Sequence, residues 1–390
     1  MGPTTPAPYD LAPLLAILAF GALLALVPFA WVWRRDRAEG AAARLQALTL
    51  LALFLTFDLV LFGAFTRLTD SGLGCPDWPG CYASASPLGA QADIQAAQKA
   101  LPSGPVTHGK AWIEMIHRYL ATGVGALITL LAMLSWVAAR RKKLPISPWW
   151  ATGTLVWVCV QGAFGALTVT MKLYPLIVTA HLLGGLFLLA LLAVQKEAYR
   201  RAPIAMPPRL HTAAIVLAAI SVLQIALGGW VSTNYAVLAC RDFPTCQGSW
   251  WPAMDFEHGF ALLRELGERK DGGSLPFAAL TAIHYVHRLG AHVVLVAMAW
   301  FAWRLHASGD ASLRPWSHGV AAVALWQLGS GLSNVVLGWP LLGAVAHTAG
   351  AAAWVALLAM LLARARQIGP ARVPQSLRRG PRTSPLRPAP

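Results

Sequence analysis

Residues 112–138 read WIEMIHRYLATGVGALITLLAMLSWVA. After Arg118 no charged side chain appears until Arg140, and that gap is long enough to cross the roughly 30 Å hydrocarbon core of a bilayer as one α-helix. Similar runs of about twenty apolar residues lie near 11–33, 45–66, 148–171, 176–195, 209–231, 282–304, 314–336 and 341–363. Composition agrees, because 57% of the residues are hydrophobic and 12% charged, against about 25% charged in soluble domains. Backbone groups in hydrocarbon must be satisfied internally, which leaves helices or a closed barrel, and long unbroken runs exclude a barrel's short alternating strands. The expected fold is an all-α integral membrane protein of nine transmembrane helices.

Charge sets the topology. Basic residues outnumber acidic ones 31 to 16 and cluster in alternate connections: Arg34, Arg35, Arg37 and Arg44, then Arg140, Arg141, Lys142 and Lys143, then Lys196, Arg200 and Arg201, and finally Arg304 and Arg314. The positive-inside rule makes these cytoplasmic. An odd number of spans then places the N-terminus outside, with residues 366–390 a disordered, basic cytoplasmic tail. The first run lacks a basic leader and a small-residue cleavage site, so it reads as a retained helix. A basic, aromatic-interleaved soluble surface is missing, so nucleic acid is not expected as a partner.

Two long outer connections, near 68–111 and 232–281, hold four of the five cysteines. Cys75-Pro-Asp-Trp-Pro-Gly-Cys81 and Cys240-Arg-Asp-Phe-Pro-Thr-Cys246 share their spacing and an Asp, aromatic, Pro core. On an oxidising face disulfides are the natural reading, and the prolines that bend each loop back favour pairing within it. Zinc is the weaker rival, since neither loop supplies a second close ligand pair. Cys159, inside an apolar run, reads as a buried small hydrophobe.

The loops belong to a larger repeat at an interval of about 165 residues. Gly63-Ala-Phe answers Gly228-Gly-Trp, Ile116-His117-Arg118 answers Val286-His287-Arg288, Gln161-Gly-Ala-Phe-Gly answers Gln327-Leu-Gly-Ser-Gly, and His181 answers His347. The chain therefore divides into an extra N-terminal helix and loop (1–40), two tandem pseudo-symmetric four-helix bundles (41–200 and 201–365) and the tail (366–390). The halves face the same way, unlike the inverted repeats of many transporters.

Intramembrane histidines are costly and tend to be functional. His117 and His287 fall in the first turns of helices entering from outside, while His181 and His347 lie about six residues inside theirs. Each half thus offers two imidazoles, from its second and fourth helices, at one depth, a geometry suited to a flat iron macrocycle. A lone histidine would read as a hydrogen-bonded packing residue; two matched pairs favour haem, with proton relay or metal binding as alternatives, although zinc or copper would want a third convergent ligand at each pair and the first half has only Glu114 to offer. Arg118 and Arg288, next to their histidines, either reach haem propionates or snorkel at the interface. His292 is rotated off the ligand face and reads as a hydrogen-bonded core group or as an outer partner of the ligand residues, and His108, His211, His258, His306 and His318 read as solvated. The repeat breaks where Glu114 precedes His117 by three residues but His284 precedes His287. A carboxylate in one half only points to chemistry in that half, against the alternative of an interfacial carboxylate facing water, and His284 competes with His287 as a ligand.

These residues resemble the haem A synthase family. Thr66-Arg67-Leu68-Thr69 with Ser71-Gly72-Leu73, the first cysteine loop, and Glu114-x-x-His117-Arg118 are similar to its motifs, with His181, His287 and His347 where the family's other histidines stand. The resemblance covers roughly 45–363, and the first helix is additional to the family's eight. It implies oxidation of the C8 methyl of haem O to the formyl of haem A for haem-copper oxidases, in two hydroxylations with water-derived oxygen. By this resemblance His117 and His181 hold substrate haem O, Glu114 is catalytic, and His287 and His347 ligate a haem b cofactor. Implied partners are a haem O synthase delivering the substrate, an electron acceptor of unspecified class and, with room for it, a second copy in a homo-oligomer. The implied location is the bacterial inner membrane. Whether Cys75 and Cys81 are redox-active or only staple the loop stays open, as do a plain dihaem b-type cytochrome and a haem O carrier as alternatives.

Overall fold

The computed structural model describes residues 11–35, 40–141, 144–200 and 202–365. Arg37, Lys142, Lys143, Arg201 and the tail at 366–390 lie outside the described residues. Among the described residues nine helices are long and apolar enough to cross a membrane: α1 (Ala12–Arg35), α2 (Ala41–Leu68), α4 (His108–Arg141), α5 (Pro148–Thr170), α6 (Pro175–Arg200), α7 (Pro208–Thr233), α9 (Phe277–Ala307), α10 (Arg314–Val336) and α11 (Leu341–Ala365). Two shorter helices, α3 (Gln91–Ala100) and α8 (Phe256–Gly259), sit in the long connections. Among the described residues there is no strand beyond isolated bridges.

Proline punctuates the helix starts, at the first positions of α5, α7 and α10, where its missing N–H has no intrahelical partner to lose. Inside the spans, hydroxyls bond back to the carbonyl four residues earlier, as for Thr49, Thr56, Ser135 and Ser221. Each such bond satisfies a polar group that hydrocarbon would leave bare.

Contacts follow the repeat. In the first set α2 packs on α4 and α6, and α5 closes against both; in the second set α9 packs on α7 and α10, and α11 on α10 and α7. The sets meet through α6 and α2 against α11, and through α6 against α7. At the end of this seam nearest the cysteine loops Arg67 donates to the Ser232 carbonyl (2.6 Å) with its guanidinium 4.0 Å above the Tyr235 ring, and the Tyr235 hydroxyl donates to Asp70 (2.7 Å). Helix α1 leans mainly on α4. Gly21 makes that approach feasible, since a Cβ there would stand 2.5 Å from Thr122, and Ile17 packs into a buried cluster with Cys75, Cys81 and Met115.

Two helix starts differ from the sequence reading. Helix α4 begins at His108 and α9 at Phe277, so His117 and His287 sit in the third turn and not the first. In α4 the preceding turn carries His108 and Lys110, which hydropathy alone clips, whereas α9 begins with the largely apolar Phe277-Ala-Ala-Leu-Thr281, which continues its run.

Candidate functional site

Each cysteine loop is built the same way. Cys75 pairs with Cys81 and Cys240 with Cys246, as expected from the local spacing, and all four are fully buried. Asp77 accepts the backbone N–H groups of Tyr82 and Ala83 (2.7 Å each), and Asp242 those of Gln247 (2.7 Å) and Gly248 (2.9 Å). These bonds hold a turn in which Tyr82, Ala83, Gln247 and Gly248 all have positive φ. Bonding from the Thr245 hydroxyl and these amides holds the Asp242 carboxyl down to about 2.

The loops are clamped from below by the helices. Arg118 donates to the carbonyls of Pro79 (3.0 Å) and Gly80, and Arg288 to those of Asp242 (2.8 Å), Thr245 (2.9 Å) and Cys240 (2.8 Å). A rigid fork that reaches several carbonyls at once suits arginine. One turn outward, Glu114 is 4% exposed, accepts the Cys75 N–H at 2.7 Å and pairs with Arg118 at 2.5 Å. It does not face water. His284 occupies the matching place in the second set: it is 6% exposed and its Nδ1 accepts the Cys240 N–H at 3.3 Å. His284 is thus the counterpart of Glu114, with its Nδ1 turned to the loop.

A cavity of about 1110 Å³ runs through both sets, and His117, His181, His287, His347, Glu114 and His284 all line it. Its volume exceeds the roughly 300–1,000 Å³ usual for one small ligand. Each of the four inward histidines rests against a glycine of a neighbouring helix. A Cβ on Gly63 or Gly228 would stand 3.0 Å from His117 or His287, one on Gly331 3.2 Å from His347, and one on Gly165 3.7 Å from His181. Glycine at these four places leaves room for the Cε1 edge of each imidazole.

The two pairs differ behind the ring. In the second set the Gln224 amide nitrogen lies 2.9 Å from His287 Nδ1 and donates to the His287 carbonyl (2.9 Å), and the Ser330 hydroxyl lies 3.0 Å from His347 Nδ1. In the first set Nδ1 of His117 and of His181 is buried with no hydrogen-bond partner. Matching positions explain this, since Leu59 stands where the second set has Gln224, and Phe164 where it has Ser330. Among the described residues no three His, Cys, Asp or Glu side chains converge as a metal-ion site, which disfavours zinc. Imidazole pairs across an apolar cavity fit haem, whose iron asks for two axial nitrogens and whose ring asks for apolar walls.

Residues 46–361 match the COX15-CtaA family of cytochrome oxidase assembly proteins. The chain belongs to that family. Among COX15-CtaA relatives, a Shewanella oneidensis protein named haem A synthase is 38% identical over 315 residues, 79% of this chain and 93% of its own length. A Chelativorans protein of the same name is 30% identical over 317 residues, 75% of this chain and 83% of its own. A third, from Rhizorhabdus wittichii, is 27% identical over 340 residues. Helix α1 lies before the matched COX15-CtaA segment.

Three sequence readings change here. Cys159 is exposed and lines the cavity, so it is not a buried packing residue. His292 is exposed too, with Nδ1 2.7 Å from the Arg288 carbonyl and its ring stacked 6.4 Å from Phe243, so it is not a core group. Arg118 and Arg288 line the cavity but direct their nitrogens at loop carbonyls. The glycines behind the imidazoles, and Gln224 and Ser330, went unread. The glycines were visible as repeated motif letters, whereas the hydrogen-bonding pair stands out only when the two halves are compared for what differs.

Proposed function

We propose that this chain is a haem A synthase that oxidises the C8 methyl of haem O to the formyl of haem A in the first set of helices, next to a resident haem b in the second. The observation that carries this reading is the pair Glu114 and His284. Two sites match in histidines, glycines, clamping arginine and disulfide loop, yet one places a buried carboxylate beside its histidine where the other places an imidazole. A protein that only relays electrons has no use for that difference. The Nδ1 contacts support the same division, because an outer partner fixes a metal-binding histidine and strengthens its hold. The Ser330 hydroxyl can accept the Nδ1–H of an iron-bound His347, and the Gln224 amide does the same for His287 once its oxygen is turned toward Nδ1, which suits a permanent group in the second set; unpartnered His117 and His181 suit a haem that must leave.

With water as the oxygen source the conversion is R–CH3 + H2O → R–CHO + 4 electrons + 4 protons, so an external electron acceptor is required. When bound between His287 and His347, haem b supplies a one-electron relay toward that acceptor. Glu114 handles charge and protons. Each of its oxygens takes one bond, from Cys75 N–H or Arg118, and a carboxylate has about four acceptor positions, which leaves capacity toward the cavity. From there it orients water, takes its proton and stabilises positive charge growing at the methyl carbon. Arg118 and Arg288 hold the loops while lending positive charge to the outer rim, where haem carboxylates belong. Positive-inside logic puts both cysteine loops and the N-terminus outside a bacterial inner membrane and the C-terminus in the cytoplasm.

The decisive experiment supplies haem O and an electron acceptor to the purified protein in vesicles and chromatographs the extracted haem. Wild-type protein yields haem A; Glu114→Gln keeps its haem b spectrum, accumulates haem O and turns over about a hundredfold more slowly or worse. Wild-type protein that returns haem O unchanged refutes the function, and a Glu114→Gln variant with near-normal output refutes the role of the carboxylate.

A further inference from the structure

The two sets line their cavity with corresponding residues almost throughout. On α2 and α7, Thr56, Val60 and Gly63 answer Ser221, Ile225 and Gly228. The correspondence fails at α1, whose Leu14, Ile17 and Leu18 have no counterpart, and at the cytoplasmic side. Between α4 and α5 the lining there runs through Ala126, Thr129, Leu155, Val158 and Cys159. Their counterparts, Val296, Ala299, Ala321, Ala324 and Leu325, do not line the cavity between α9 and α10; on α9 the lining turns instead to Val294 and Met298. On α5 it continues six residues below Gln161 to Leu155, whereas on α10 it stops at Gln327, so the α5 wall runs deeper than the α10 wall by roughly 9 Å at 1.5 Å per residue.

The sequence cause is a pair of glycines. Gly125 on α4 and Gly162 on α5 border this cleft, and a Cβ added at either meets nothing within 4 Å. The matching positions in the second set are Leu295 and Leu328. The cleft is apolar: the Thr129 hydroxyl is spent on the Gly125 carbonyl at 2.8 Å, and the other lining side chains carry no charge. Thr129, Cys159 and Gly162 are exposed, so the cleft opens sideways to where lipid lies.

We propose that the cleft between α4 and α5 is the subsite for the long isoprenoid substituent of the substrate haem, and that Gly125 and Gly162 determine this specificity. The inference rests on the proposed function and adds to it where the substrate's distinguishing group goes. Haem O differs from protohaem in carrying a farnesyl-derived chain at the macrocycle edge. That chain gains no hydrophobic driving force on moving from lipid into protein, since both are apolar. Selection is therefore steric: the first set has room and the second does not, because Leu295 and Leu328 occupy the equivalent space. The same difference keeps haem O out of the site meant for haem b.

The test installs each set's residues in the other, in the full chain. Open space around both glycines means that Gly125→Leu with Gly162→Leu folds, and an unchanged haem b spectrum from the second set reports it. Uptake of haem O and of protohaem by the haem-depleted protein is measured separately by extraction and chromatography. Haem O binding at the first set falls about tenfold or more, as overfilling a packed site does, while protohaem binds as before. The reciprocal Leu295→Gly with Leu328→Gly protein accepts haem O in its second set. Wild-type-like haem O uptake by the first variant overturns the subsite, as does an equal loss for protohaem, which would mean that the glycines serve the ring. Wild-type protein that takes up no haem O overturns the proposed function itself and this subsite with it.

Discussion

Replacing Gln224 by leucine, the residue that α2 carries at the matching position 59, converts the back of His287 into the back of His117. The amide lies 2.9 Å from Nδ1, and an iron-bound imidazole carries on Nδ1 a proton that the amide oxygen, turned toward it, accepts. Leucine removes that one contact and leaves a buried N–H alone. At about 0.5–1.5 kcal/mol net, the loss is roughly 2- to 13-fold in haem affinity, which overlaps the low end of the roughly 10- to 100-fold cost of removing an outer partner from a metal-bound histidine. The assay follows haem b leaving the purified protein for excess apomyoglobin, and the variant should lose its haem faster by that factor. The converse change, Leu59→Gln, should slow release of haem from the first set. If Gln224→Leu protein holds its haem as long as wild type, the Nδ1 contacts do not distinguish a resident site from an exchanging one.

Replacing His347 by alanine should remove most of the low-spin haem b spectrum, whereas replacing His181 should leave it; the opposite pattern would exchange the roles of the two sets. In a Cys159→Ser background, a membrane-impermeant maleimide applied to intact cells after reduction should label Cys75 and Cys240, and labelling only after lysis would reverse the orientation. The Asp242 carboxyl titrates near 2 instead of its ordinary 3.8, so its hold on the second loop is complete above about 3.8 and lost as pH falls toward 2. A phosphine should then reduce Cys240–Cys246 faster as pH drops through that window, and Asp242→Asn should flatten the profile.

Much of this architecture is legible in the letters. Long uncharged runs report spans because the bilayer leaves so few alternatives, and the repeat reports itself because the same histidine, cysteine and glycine letters recur at one interval. What escaped depends on chain segments that meet only after folding. Nothing in the string tells Arg118 to reach Pro79 or Arg288 to reach Asp242, across 39 and 46 residues. Cys159 looked buried because an apolar run does not say which side of the helix faces a neighbour. Glu114 stood out as an asymmetry, but its burial against Cys75 required the outer loop to fold down onto α4.

Arg67 bonds to Ser232, and Asp70 to Tyr235, each across 165 residues, which is the interval that relates α2 to α7. Every one of these residues therefore touches the position that matches its own. Self-matched contacts lie where a two-fold axis relating the two sets would run. Identical copies would oppose arginine to arginine and aspartate to aspartate on such a line, whereas here arginine meets a carbonyl and a carboxylate meets a phenol. A single chain can make the two sides of that line different, and with them the sites on either side.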